Sequence, residues 1–248
     1  GEKMWRHKTL QITDAMITSK GERKVNEDFC GCWQSNLKRY YVLCDGLGGH
    51  GNGDEASRFV VNSIQQAICK HKLSMNESIA FAQEQLLRKQ EQEGKQDSMK
   101  TTLTCLEIAE DKACFAHVGD SRVYWFQKGK YKLRSQDHSV PQMLVNSGRI
   151  TEKEIRNHPD RSRLLRVMGT VWDKPKYQMS DLIEISSGSS FLLCSDGFWE
   201  LIEEKEMARC LKKAQTPAEW LHMMESQILQ KGQGTNMDNY TAVAVYIR

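Results

Sequence analysis

The sequence predicts an α+β fold, a layered sandwich of sheets and helices, on three observations. Six short runs rich in aromatic and β-branched residues read as strands. They occur in groups, with helical segments grouped between them, whereas a strictly alternating parallel fold exchanges one strand for one helix. No repeat, low-complexity tract or Pro/Ser-rich linker interrupts the 248 residues, and only four prolines occur, so one continuous domain over 1–248 is expected.

The first strand signal is 39–44 (RYYVLC). In 54–71, Ala56, Val60, Ile64, Ala67 and Ile68 recur at helical spacing. In 76–93, Asn76 fits an N-cap and Ile79, Ala82, Leu86 and Leu87 share one face. Strand signals return at 102–108, 113–118 and 122–127. The segment 113–127 reads as a hairpin turning at Gly119-Asp120, with a second turn at Lys128-Gly129-Lys130. A strand at 191–194 is followed by helices near 203–214 and 217–230, the latter with Pro217 in its first turn, and 241–247 is the last strand.

Composition narrows the function. Basic and acidic residues nearly balance at 35 against 32, a net charge of +3, which gives no electrostatic reason to expect a nucleic-acid partner. No apolar window approaches the length of a membrane span, and GEKMWRHKTLQIT lacks the apolar core of a secretory signal. The eight cysteines form no C-x-x-C pair and several sit in apolar runs, which favours buried, reduced thiols in a cytoplasmic protein. Cys30 and Cys32 share a strand face, which is insufficient for a metal site. No cysteine has the surroundings of an activated thiolate nucleophile.

The distinctive feature is a set of acids against strand ends. Glu27 and Asp28 precede FCGCW, Asp45-Gly46 follows YYVLC, Asp120 follows FAHVG, Asp196-Gly197 follows FLLCS, and Asp238-Asn239 precedes YTAVAVYI. If they converge, they repel one another and need cations. An all-oxygen donor set suits Mg2+ or Mn2+. Two such ions about 3.5–4 Å apart share a water, acidify it and aim it at phosphorus, with Asp45 the natural bridging ligand. Arg23, four residues before Glu27, fits a fork for phosphate oxygens. Each acid also fits a plain turn residue, Arg23 also fits a solvated surface arginine, and spacing alone does not bring the segments together.

Six segments in order are Arg23-Lys24-Val25-Asn26-Glu27-Asp28, Asp45-Gly46-Leu47-Gly48-Gly49-His50, Gly119-Asp120-Ser121-Arg122, Asp137-His138-Ser139, Ser195-Asp196-Gly197 and Asp238-Asn239-Tyr240-Thr241. Together they resemble the protein phosphatase 2C family, the metal-dependent serine/threonine phosphatases, in its bacterial form. The resemblance spans about 20–247 and implies a four-layer α-β-β-α sandwich of two mostly antiparallel sheets, with the metals at one end. It implies that Asp45 bridges two ions, that Glu27 and the Gly46 carbonyl serve one, and that Asp196 and Asp238 serve the other. Asp28 is implied to hold metal-bound water, Asp120 with Asp196 to hold a third, weaker ion, and Arg23 to bind substrate phosphate. The implied reaction is in-line attack by a hydroxide bridging two Mn2+ or Mg2+ ions, with no phosphoenzyme.

The stretch 137–169 matches the family's flap, expected as a mobile loop-helix element that influences substrate choice. The implied partners are phosphorylated proteins, targets of a bacterial serine/threonine kinase, acted on by a cytoplasmic monomer without nucleic acid or membrane. Two departures stand out. Leu47 occupies a position where animal members carry a histidine proposed as general acid, which leaves that role unassigned with His50 a weak candidate. Lys100 precedes the paired threonines where the family often has glycine. The rival readings are an inactive relative serving as a scaffold, a stress-response or sporulation-type phosphatase, and a small-metabolite phosphatase.

Overall fold

The computed structural model describes residues 10–248, apart from the side chain of His50. The strands are β1 (Ile12–Ser19), β2 (Asp28–Ser35), β3 (Lys38–Asp45), β4 (Leu103–Ala109), β5 (Lys112–Val118), β6 (Arg122–Gln127), β7 (Lys130–Arg134), β8 (Gln178–Met179), β9 (Ile183–Glu184), β10 (Ser189–Cys194) and β11 (Tyr240–Ile247). The helices are α1 (Gly53–Cys69), α2 (Met75–Glu93), α3 (Val140–Asn146), α4 (Asp196–Trp199), α5 (Glu204–Lys213) and α6 (Pro217–Gly232).

One sheet runs β1-β11-β10-β6-β7, and the other runs β2-β3-β4-β5-β8 with β9 also on β5. Every pairing is antiparallel. Side-chain alternation builds the layers. On β3, Tyr41 and Leu43 face the inter-sheet core, while Tyr40, Val42 and Cys44 face the core shared with α1 and α2. On β11, Val243, Val245 and Ile247 face the inter-sheet core, and Ala242, Ala244 and Tyr246 face the core beneath α5 and α6. Burial on both faces is why YTAVAVYI reads as a nearly unbroken apolar run. The result is the expected α-β-β-α sandwich. Among the described residues no helix is long and apolar enough to cross a membrane.

Two expectations are corrected. The strands β5 and β6 do not form a hairpin: they lie in different sheets, and Gly119–Ser121 carries the chain across. Gly119 has φ +100 and its missing Cβ would lie 2.8 Å from Thr102, so glycine permits the crossing. Alternation alone reports strands but not which sheet each joins, and here β6 completes the opposite sheet between β10 and β7. The turn at 128–130 does close a hairpin, β6–β7. The N-cap of α2 is Ser74, not Asn76: Ser74 and Glu77 form a reciprocal capping box, with Ser74 N–H donating to the Glu77 carboxylate at 2.8 Å. β1, over ITDAMITS, is a strand with no sequence expectation.

The segment 137–169 contains α3 and a short 3-10 helix, Glu152–Asn157. Its root is fixed by the Asp137 carboxylate, which receives Arg122 Nε at 2.8 Å and an Arg122 terminal nitrogen at 2.7 Å. Ile155 is buried and Arg156 donates to the carbonyls of Trp199 and Ile202, both at 3.0 Å.

Candidate active site

Strand ends from both sheets meet around one cavity of about 820 Å3. Its walls include Glu27, Asp45, Asp120, Asp196 and Asp238, with Arg23 and Gly46 beside them. The structure therefore brings together seven of the eight expected residues, and Asp28 is buried behind them. Asp120, on the link that crosses between the sheets, lies in this wall.

The backbone holds Asp45 rigidly. Its N–H donates to Thr102 Oγ1 at 3.0 Å, and its carbonyl accepts from Thr101 Oγ1 and Thr102 N, both at 2.9 Å. A Cβ on Gly46 would lie 2.0 Å from the Gly53 carbonyl oxygen, so only glycine lets the start of α1 close against this loop.

Asn239, which the motif includes without a role, is a latch. Its Oδ1 accepts from Glu27 N, while its Nδ2 donates to the carbonyls of Lys20 and Val25, all at 2.9 Å. The start of β11 thus grips the loop carrying Arg23. Ser195 likewise stands in a motif without a role: it accepts from Thr241 N at 3.0 Å and donates to Asp28 Oδ2 at 2.7 Å. Such hydroxyls and amides give weak sequence signals, because their role exists only across the sheet.

Asp137-His138-Ser139 is a scaffold at the root of the flap. His138 Nδ1 accepts from Gly119 N at 3.1 Å, and His138 N donates to Gly119 O at 2.9 Å. Its ring stacks on His117 at 4.4 Å. Burial, then His117 and Arg166, push the His138 pKa down to about 3, so the ring is neutral.

The acids are electrostatically frustrated. Burial, then the charges of Asp28, Asp196 and Asp120, hold the Asp45 carboxyl well above its usual range. Burial and Asp196 do the same to Asp120, and burial raises Asp196 as well. Burial pushes Asp28 up to about 7 and, with Asp196 nearby, also pushes Glu200 to about 7. Glu200, a residue missed in the sequence, pairs with Arg161 of the flap at 3.0 Å.

Among the described residues no group of three or more His, Cys, Asp or Glu side chains forms a ready-made metal site as it stands. Asp238 instead lies 3.3 Å from Arg23 Nε, and its Oδ1 accepts from Asn239 N at 2.8 Å. The residues nonetheless fit divalent ions. The donors are all oxygen, mutual repulsion calls for a cation, and Asp28 Oδ1 is buried without a partner.

This frustration makes a sign-definite prediction. With the folded pKa values of Asp28 and Glu200 raised to about 7 from unfolded values near 4, the folded protein binds more protons than the unfolded chain across that window, and stability falls as pH rises through it. Metal-stripped protein should therefore melt at a higher temperature at about pH 5.5 than at about pH 7.5. Saturating Mn2+, which competes with those protons, should reverse the order. Thermal scans in chelator and in MnCl2 check it; a melting point that climbs with pH in chelator sinks it.

Comparison with known proteins agrees with this geometry. A family model described as protein phosphatase 2C matches residues 19–232. The serine/threonine phosphatase stp of Listeria innocua is 29% identical over 214 residues, covering 82% of this chain and 84% of that protein. The crystal structure of serine/threonine phosphatase Stp1 from Staphylococcus aureus superimposes with a TM-score of 0.86 at 28% identity, covering 96% of each chain. The catalytic domain of serine threonine protein phosphatase PstP, crystallised in complex with two manganese ions, superimposes with a TM-score of 0.80 at 25% identity, covering 96% of this chain and 99% of that one. With its sandwich, its six ordered motifs and its carboxylate-lined cavity, this chain belongs to the protein phosphatase 2C family of metal-dependent serine/threonine protein phosphatases.

Proposed function

We propose that this chain hydrolyses phosphoserine and phosphothreonine on protein targets of a bacterial serine/threonine kinase, using two Mn2+ or Mg2+ ions held in the carboxylate-lined cavity. The observation that carries the reading is that five carboxylates from separate chain segments converge on one cavity beside an arginine. The two manganese ions of PstP support it.

In this reading Asp45, Glu27, the Gly46 carbonyl, Asp196 and Asp238 would hold the two ions, with Asp45 between the other two pairs of donors. Asp28, buried beneath, receives a hydrogen bond on one oxygen and leaves the other free to orient water. Asp120 with Asp196 offers a place for a third, weaker ion. The bound ions would offset the carboxylates and supply an acidified water for attack on phosphorus. Arg23 is half exposed at the rim, tethered to Asp238 through Nε, and its terminal nitrogens take the substrate phosphate as a fork. Thr101, Thr102 and Asn239 fix these groups before substrate arrives, which is what in-line transfer requires.

The test is phosphate release from phosphoserine and phosphothreonine peptides beside nucleotides, with Mn2+ and with chelator. The expected result is manganese-dependent turnover with kcat/KM on peptides at least about tenfold above that on nucleotides. A folded, metal-loaded protein that turns over nothing would make the chain a scaffold, and a nucleotide preference would make it a metabolite phosphatase.

A further inference from the structure

A second cavity of about 470 Å3 lies beside the first, and the two share Lys100 and Thr170 in their walls. Leu87, Gln90 and Glu91 of α2 form one side, and Gly169–Val171, where the flap rejoins the body, forms the other. The cleft is prebuilt. Gln90 Nε2 donates to the carbonyls of Gly169 at 2.9 Å and Met99 at 3.0 Å. Gln83 Oε1 accepts from Gly169 N at 2.9 Å, and its amide donates to Thr170 O at 2.6 Å. Both glutamines are buried, so this wall stands whether or not a ligand is present.

Lys100 stands between the cavities. Its carbonyl accepts from Leu47 N at 2.9 Å, one residue beyond Gly46, and the next residue, Thr101, bridges Gly46 and Met168. The side chain is half-buried, and among the described residues no carboxylate lies within 4.0 Å of its ammonium. Lys24 and Arg163, also lining the first cavity, likewise have no carboxylate within 4.0 Å among the described residues. In the proposed metal-loaded enzyme the carboxylates of the first cavity would hold the ions, which leaves Lys100 a cation between two openings with no carboxylate partner among the described residues.

Building on the proposed phosphatase activity, we infer that the Lys100 cleft is a substrate subsite that takes an acidic side chain flanking the phosphorylated residue. The polypeptide runs from the carboxylate-lined cavity past Thr170 into the cleft beside α2, and Lys100 pairs with an Asp or Glu of the substrate. Glu91 in the far wall opposes a second acid, so the preference is for one acidic residue near the phosphate and not for an acidic run.

Matched phosphopeptides carrying Glu, Ala or Lys at each flanking position test this with Mn2+-loaded enzyme. The wild type is expected to show about fivefold higher kcat/KM for the best Glu-flanked peptide than for its Ala counterpart, carried by KM, the upper end for a partly exposed ion pair. Lys100→Met keeps the stem and should bring the ratio to one. Lys100→Arg should keep the preference, and Lys100→Glu should invert it toward Lys-flanked peptides. Equal ratios in wild type and Lys100→Met overturn the subsite. Fluorescence anisotropy with the same peptides reads the same ratios as Kd, so the subsite is decided even if no phosphate is released. Selective binding without turnover would sink the phosphatase reading alone, and turnover without selectivity would sink the subsite alone.

Discussion

Asp45→Ala is expected to lower manganese-dependent kcat on a phosphopeptide by about three orders of magnitude, the scale of losing a principal source of transition-state charge stabilisation. Asp45 is buried and feels the charges of Asp28, Asp196 and Asp120. Its backbone is clamped by Thr101 and Thr102, so its position does not depend on its own side chain. The substitution should therefore leave the fold intact. In chelator the variant should melt no lower than the wild type, because one charge of a repelling cluster has gone. In Mn2+ it should melt lower, because a ligand has gone. Kinetics and melting scans with and without metal give three readouts. Retention of more than about a tenth of the activity would remove Asp45 from the role of bridging ligand.

The largest expected loss of stability is at Arg122→Met. Arg122 and Asp137 are a buried bidentate pair, each side chain 1% exposed, and the guanidinium lies 3.4 Å from the ring centroid of Trp199. Burial alone would raise the Asp137 carboxyl, but Arg122 holds it below its usual range. Removing Arg122 leaves a buried carboxylate with Arg134 at 3.7 Å as its remaining cationic contact among the described residues. The expected cost is about 3–5 kcal/mol, the usual penalty for breaking a buried pair from one side. A melting point lower by about 10 °C corresponds to that loss in a domain of this size. The double variant Arg122→Met/Asp137→Leu should lose much less than the single one, since no uncompensated charge remains. A single variant that loses under about 1 kcal/mol would show that the pair does not brace the root of the flap.

The same geometry explains what was legible in the sequence. The strand runs 39–44 and 241–247 were readable because both faces of those strands are buried, which concentrates apolar residues. Acids directly after or before such runs were readable as rigidly held carboxylates. The start of α2 was misread because Asn76 and Ser74 are both good caps, and the choice belongs to the side chain whose partner, Glu77, stands three residues on. The crossing at Gly119–Ser121 was misread because a short Gly-Asp link between strands looks the same whether the second strand folds back or joins the other sheet. The roles of Asn239 and Ser195, which stand inside the motifs, and of Gln83 and Gln90 were not legible, because a polar residue shows its use only through distant partners.

The sequence by itself determined most of the strands and helices, the order of its motifs and the chemical character of the donors, since these follow from local periodicity and residue type, whereas the pairing of two sheets was implied only by the family resemblance. Only the tertiary structure decided that Asp120 stands beside Asp45 and Asp196, that Asn239 grips the loop of Arg23, and that Lys100 separates two cavities. Each of those placements depends on which sheet a strand joins, a choice set by long-range burial and backbone pairing that no local pattern encodes.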